Sequence, residues 1–239
     1  MITVLIFLTI FSDSLTIQKG DEHFRNQDYS GAISQYQNHL NSSPNDAEAY
    51  WRITRAYICI GDVSKRAERE QYYRKALENS IAAVRMDSLN TNVQCWYAVS
   101  MGYIALFEGS RKKVELCNKI KHALDLSIFL DPRNDVAYSI YGSFYRALGK
   151  VSWFERQLAN LLLGGLPDGG FEEGEKMLQQ AIGLAPAIIR HRYELGSLYF
   201  DWGKEKMGKE VFRSALTLPI TLTSDWRRME VMKQKIAGQ

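Results

Sequence analysis

Proline, cysteine, charge of one sign and long apolar runs are all scarce in this chain. Five prolines in 239 residues leave long stretches free to be helical, which argues against a sandwich of short strands punctuated by turns. The three cysteines, Cys59, Cys95 and Cys117, are an odd number without metal-ligand spacing, so they read as small buried hydrophobes and not as a disulfide framework. Lys plus Arg is 30 against 27 Asp plus Glu, an excess of +3 that is too small to argue for nucleic acid. The four histidines, His23, His39, His122 and His191, are scattered, with no His-Glu-x-x-His. Residues 164–170 resemble a phosphate cradle only in glycine content, since no Gly-Lys-Ser or Gly-Lys-Thr follows and no strand precedes them. No catalytic residue, metal or cofactor is therefore expected. A hydrolase would need two acids converging in one deep pocket.

What is present is a composition close to that of soluble globular chains, 46% hydrophobic and 24% charged, so wholesale disorder and multi-pass membrane insertion are both excluded. Residues 2–11 form the one unbroken apolar run, and ten residues at about 1.5 Å of helical rise cannot cross a ~30 Å hydrocarbon layer. The run has the size of a secretory h-region, and Ser12-Asp13-Ser14 offers small residues before a cut after Ser14. Residues 1–14 are accordingly expected to be a leader of an exported, periplasmic or secreted protein. The alternatives are a first buried element of a cytoplasmic protein and a membrane anchor; an uncleaved leader would be the one route to a membrane.

From residue 15 to residue 239 a pattern repeats. Asp28-Tyr29-Ser30-Gly31-Ala32-Ile33 leads to Tyr36 and closes at Pro44-Asn45-Asp46; Gly174 leads to Leu178, Ala181-Ile182 and Pro186; Gly208 leads to Phe212, Ala215-Leu216 and Pro219. Further units close at Ser88 and at Pro132, giving five. Tyr193-Glu194-Leu195-Gly196-Ser197-Leu198-Tyr199, Tyr138 with Tyr141-Gly142 and Tyr145, Trp51 with Ala56-Tyr57, and Trp96-Tyr97-Ala98 supply matching first helices. These residues resemble the tetratricopeptide repeat, a pair of antiparallel helices of about 34 residues in which a small residue at the closest approach receives a large one from the partner helix. The resemblance implies an all-α, right-handed solenoid of about five helix pairs.

The spacing predicts departures from the plain unit. The intervals from Pro44 to Ser88 and from Ser88 to Pro132 are long enough for extended helices over 64–86 and 110–130, which lack internal Pro and Gly. The longer interval from Pro132 to Pro186 predicts an inserted helix. Ser152-Trp153-Phe154-Glu155 reads as its capping box, with Trp153 and Phe154 expected in the core or as a wall at one end of the groove. A last helix over 224–237 is expected as a solvating cap.

Four stretches sharpen the likeness: Trp51-Arg52-Ile53-Thr54-Arg55-Ala56-Tyr57; Cys95-Trp96-Tyr97-Ala98; Gly109-Ser110-Arg111-Lys112-Lys113 with Lys119-Ile120-Lys121; and Val151-Ser152-Trp153-Phe154-Glu155-Arg156. Over 21–239 the chain resembles the regulator of microtubule dynamics family of tetratricopeptide proteins, from which it departs at Cys95, where that family commonly has a basic residue. In that family animal members are associated with microtubules and organelle membranes, whereas similar bacterial chains carry export signals. The resemblance and the leader-like start imply a bacterial-type exported member.

In such a solenoid the first helices line the concave face, and counting along them nominates Glu48, Trp51, Arg52 and Arg55; Asn92, Cys95 and Val99; Ser139, Ser143 and Arg146; and Arg190, Tyr193, Glu194 and Ser197. An arginine fork beside an aromatic suits a carboxylate, so a protein or peptide, acidic in character, is the expected partner. A small anion held by an accessory subunit of a transport system is the alternative, as is a microtubule- or membrane-associated adaptor. Arg52, Arg55 and Arg156 could instead pair internally with Glu48, Glu155 or other acids and hold the repeats in register. The basic row Arg111, Lys112, Lys113, Lys119 and Lys121 is expected on a solvated helix face.

Overall fold

A computed structural model describes residues 15–239, and among these no strand occurs. Residues 15–25 form α1; the next helices are α2 (Tyr29–Ser42), α3 (Ala47–Val63), α4 (Arg69–Met86), α5 (Thr91–Ala105) and α6 (Ser110–Leu130). They are followed by α7 (Asp135–Gly149), α8 (Trp153–Leu162), α9 (Phe171–Leu184), α10 (Ile189–Asp201), α11 (Glu205–Ala215) and α12 (Thr223–Ala237). The leader-like run at 2–11 lies outside the described residues. Among those described, no helix is long and apolar enough to cross a membrane.

The closing residues of each unit do two jobs. Pro44, Ser88 and Pro132 end one helix pair, and the residue two further on caps the next. The Asp46 side chain accepts the Glu48 N–H at 2.8 Å, Asn90 accepts that of Asn92 at 2.9 Å, and Asn134 accepts that of Ala137 at 3.0 Å. The inserted helix α8 starts at the expected capping box, with Ser152 Oγ accepting from the Glu155 N–H and the Glu155 carboxylate accepting from the Ser152 N–H. The expected helix over 64–86 starts later than predicted. Ser64 turns its hydroxyl back to the Ile60 carbonyl at 2.7 Å, α3 ends there, and a short 3-10 turn (Arg66–Glu68) leads into α4.

Pairs form between α1 and α2, α3 and α4, α5 and α6, α7 and α9, and α10 and α11. Neither helix of a pair hides its apolar face alone. Within several pairs a glycine of the first helix receives a large residue of the second: Gly61 takes Tyr73, Gly142 takes Leu178 and Gly196 takes Phe212. A methyl at Gly196 would overlap the Phe212 ring and stand 3.2 Å from the Gly208 carbonyl, and Phe212 is buried, so the ring has nowhere to go.

The first helices of successive pairs are neighbours, α3 against α5, α5 against α7, and α7 against α10. Helix α12 does more than cap the last pair. It packs against α10 and α11 and then reaches α3, so the inner helices form a closed circuit instead of an open trough. Its first turn joins the first repeat: the Thr223 N–H donates to Tyr29 Oη at 3.1 Å and the Thr223 hydroxyl to Gln27 Oε1 at 2.9 Å. Met232 is buried with Ile189, Phe212 and Ala215. Its outer face stays in water, with Arg227, Glu230, Lys233, Gln234 and Lys235 exposed, so α12 is the expected solvating cap and also part of the inner wall. Trp153 and Phe154 also depart from expectation, at 74% and 68% exposed. Helix α8 is held by buried Ala159 and by Arg156, which donates to the carbonyls of Leu148, Pro167 and Gly169, and its aromatic start turns outward.

Gly102, in the middle of α5, has no atom within 4 Å of where a Cβ would stand. Gly102→Ala should therefore stabilise the protein by about 0.5–1 kcal/mol through helix propensity. Gly196→Ala should destabilise it by about 1–3 kcal/mol through overpacking. Thermal denaturation of the two variants checks this, and a gain from Gly196→Ala would contradict the seat assigned to Phe212.

Candidate functional site

The inner face carries most of its charge in closed pairs. Asp21 on α1 is the hub of the first: it accepts from Tyr36 Oη at 2.7 Å, from Arg52 Nε at 3.1 Å and from Arg55 Nη2 at 3.4 Å. Arg52 also donates to the Glu48 carboxylate, whose other oxygen takes the Asn90 amide at 2.7 Å and so links the second repeat to the third. Burial works against the Arg52 charge, yet Glu48 and Asp21 outweigh it and hold the guanidinium above its ordinary pKa. For Arg55 burial wins and lowers it. Its guanidinium lies 3.7 Å from the centre of the Phe24 ring, and that of Arg52 lies 4.3 Å from the centre of the Trp51 ring. Trp51 itself is only 6% exposed.

The second network joins the fourth and fifth repeats. Arg146 Nε donates to Asp201 at 2.6 Å and Nη1 to Glu194 at 3.1 Å. Ser143 donates to the Ser139 carbonyl, Ser139 is fully buried, and Asn92, half-buried, gives its backbone N–H to the Asn90 cap of α5. Tyr193 is half-buried, stacked on Phe212 with ring centres 6.0 Å apart. Cys95, Val99 and Ser197 are buried on the same inner helices. Arg190 has no carboxylate within ion-pair distance among the described residues, although its charge acts on Asp62 and Asp135, and its Nε is removed from solvent. Arg156 pairs with backbone carbonyls and not with Glu155.

Where the circuit closes, Asp62, Tyr103, Tyr193, Glu194, Ser224, Arg227 and Arg228 line a cavity of about 200 Å³. Burial raises the Asp62 carboxyl although Tyr103, Arg228 and Tyr73 all act to lower it. Arg228 donates to Asp225 at 2.8 Å and stands 3.9 Å from Asp62, and these two acids hold its charge against burial. Counting along the first helices of the second to fifth repeats found Tyr193 and Glu194 but missed Asp62, Tyr103 and the three residues of α12. Asp62 and Tyr103 sit beyond the counted positions, and α12 enters the count only if it is treated as a sixth inner helix.

The remaining titratable groups hold the frame. His39 and His191 are buried against Asp46 and Asp135, at 2.6 Å and 2.9 Å. Burial lowers His191, which therefore stays neutral and donates from Nε2 to Asp135. The Cys59 and Cys95 thiols are pushed up by burial to about 12, far from the thiolate a nucleophile needs. Among the described residues no group of three or more His, Cys, Asp or Glu is placed to hold a metal. The basic row on α6 is exposed apart from the partly covered Lys121, with Glu115 shared between Lys112 and Lys119.

Paired helices seated through small residues, stacked with their first members on one inner wall, define a tetratricopeptide solenoid. The chain belongs to the family described as regulator of microtubule dynamics protein 1-3, whose model matches residues 16–237. It is 28% identical over 200 residues to human regulator of microtubule dynamics protein 2, covering 83% of this chain and 48% of that protein. Against the Bos taurus protein 1 it is 24% identical over 196 residues, covering 81% and 62%. The chain thus spans roughly half the length of the curated relatives it matches. Among solved structures, TTC0263, a thermophilic TPR protein in Thermus thermophilus, superposes with a TM-score of 0.69 at 17% identity, over 94% of this chain and 99% of that one. The MamA 41-end structure from Desulfovibrio magneticus RS-1 gives 0.51 at 15% identity, over 86% and 94%. These two likenesses concern the fold.

Because Asp21 meets both arginines, Arg52 and Arg55 hold α1 onto α3. Replacing both with Ala should strand a half-buried carboxylate and cost roughly 2 kcal/mol, lowering Tm by about 4–8 °C. Proteolysis should then cut first near the α1–α2 connection. An unchanged Tm would show that the two arginines are free to serve a ligand.

Proposed function

We propose that this protein is a non-catalytic scaffold that holds a segment of a partner protein against the inner wall of its solenoid, at the opening between α3, α5, α10 and α12. The observation that carries this is α12 itself. An amphipathic helix already lies on that wall, inserting Met232 among apolar residues and reaching Asp62 with Arg228, so the surface has the shape and chemistry to receive a helical segment. Its free cations support an acidic partner: Arg227 stands at the cavity without a carboxylate within ion-pair distance among the described residues, while Arg52, Arg55, Arg146 and Arg228 are already satisfied. The raised thiols and the histidines spent on helix-end carboxylates support a role without catalysis.

A second reading draws on the relatives' name. The exposed row Arg111, Lys112, Lys113 and Lys119 on α6 would give a microtubule-related adaptor a surface for an acidic polymer.

Affinity capture with the full chain as bait separates the two. Arg227→Glu, an exposed substitution that leaves the fold intact, should cut capture by about tenfold. Lys112→Glu with Lys113→Glu should leave capture unchanged. If only the α6 variant loses the partner, the inner-wall reading fails and the adaptor reading stands, with co-sedimentation on microtubules as its own check.

A further inference from the structure

Helix α8 turns its apolar side to water. What it holds against the body is polar or small: Arg156 donates to the carbonyls of Leu148, Pro167 and Gly169, Asn160 Oδ1 accepts the Leu166 N–H at 3.3 Å, and Ala159 is buried. What it leaves open is Trp153, Phe154, Leu158, Leu161 and Leu162, at 74%, 68%, 45%, 81% and 64% exposed. At 3.6 residues per turn these five share one half of the helix, and Arg156 and Ala159 lie on the other. An amphipathic helix normally gives such a stripe to a core, and a contiguous open one marks an association surface.

Charge, pattern and area all fit a second copy of this chain as the occupant. Gln157, the one polar side chain within the stripe, is uncharged, while Glu155 is tied to the cap of its own helix and Lys150 pairs with Asp201 at 3.3 Å, so the stripe can meet its like without repulsion. It is aromatic at its start and leucine-rich at its end. Two copies laid antiparallel about a two-fold axis therefore set the aromatic end of each on the leucine end of the other, with Leu158 beside the axis and the helix dipoles opposed. At these exposures the five residues present on the order of 700 Å² in each copy, close to the ~800 Å² per partner of a stable, specific interface. A lipid surface fits less well. An interfacial helix flanks its apolar face with free cations, whereas here Glu155 borders the stripe and the one arginine of α8 is turned inward.

We infer that α8 is a dimerisation helix, through which two copies of this protein pair antiparallel about a two-fold axis. The inserted element of the fourth repeat is thereby given a task that the solenoid itself does not need. This does not rest on the inner-wall reading, and each stands if the other fails.

The test is sedimentation velocity on the full chain across a dilution series. A reversible dimer is expected, and Leu161→Glu should weaken it by about tenfold or more with helicity unchanged, because it buries a carboxylate without a counter-charge in the interface. Register is read with a short bis-maleimide against the unaltered chain as control. An equimolar mixture of Phe154→Cys and Leu161→Cys should give a mixed cross-linked pair, identified by mass, and Phe154→Cys alone should not link to itself. A chain that stays monomeric at about 100 μM, above the μM limit usual for interfaces of this size, overturns the proposal. So does a dimer that survives Leu161→Glu, or self-linking of Phe154→Cys, which would mean a parallel arrangement. A monomer that binds phosphatidylserine vesicles and loses them in Leu161→Glu would assign the stripe to a lipid surface instead.

Discussion

Thr223 donates its backbone N–H to the hydroxyl of Tyr29, 194 residues earlier in the chain, and the inner face takes its form from the closure that this contact completes. A stack of helix pairs is normally open at both ends, with each unit touching only its neighbours. Here the helix after the fifth pair crosses to the second pair, so the wall that would line a trough becomes the wall of a ring. Leu222 joins the cluster around Tyr29 and Cys59 at one end of that helix, and Met232 joins Phe212 at the other. Burial at both ends sets the helix in register, and Arg228, brought between Asp225 and Asp62, keeps its charge because of it.

Closure also accounts for the electrostatics. A trough exposed to water could leave its arginines free. A narrowed interior makes an unpaired guanidinium expensive: Asp21 and Glu48 answer Arg52, Asp21 also answers Arg55, Glu194 and Asp201 answer Arg146, and Asp225 answers Arg228. Ion pairs of this kind contribute less to net stability than to register: Asp21 ties α1 to α3 and Arg146 ties α7 to α10, while Glu48, paired with Arg52 inside α3, accepts the Asn90 amide at the cap of α5. Arg190, with no carboxylate within ion-pair distance among the described residues, stands out against that pattern, and so does the aromatic start of α8, where Trp153 and Phe154 are exposed.

Much of this architecture is legible in the residues because it is local. The small-against-large seats at Gly142 and Gly196, the closing residues followed by a capping Asp or Asn, and the Ser152–Glu155 box all lie within a helix pair or across one connection. Composition and spacing find them. The concave-face positions were legible as places but not as states: the count reached Arg52 and Arg55 without showing that Asp21, on a different helix, would occupy them. What was not legible depends on contacts across the whole chain. The charge pattern of α12 suits a solvated end, and only the curvature of four preceding pairs carries it against α3. Trp153 and Phe154 have the composition of a core staple, and their exposure goes with the way α8 is seated, through Ala159 and through Arg156 on backbone carbonyls.

The most direct measurement of ring closure is amide hydrogen exchange at Thr223, read residue by residue in the full chain. If α12 is seated on the first repeat, the Thr223 amide is protected far beyond a fraying helix start, and Tyr29→Phe removes that protection while leaving the amides of α10 and α11 as they were. Exchange at Thr223 near the rate of an unprotected amide in the unaltered protein would contradict closure, and with it the account of the inner face.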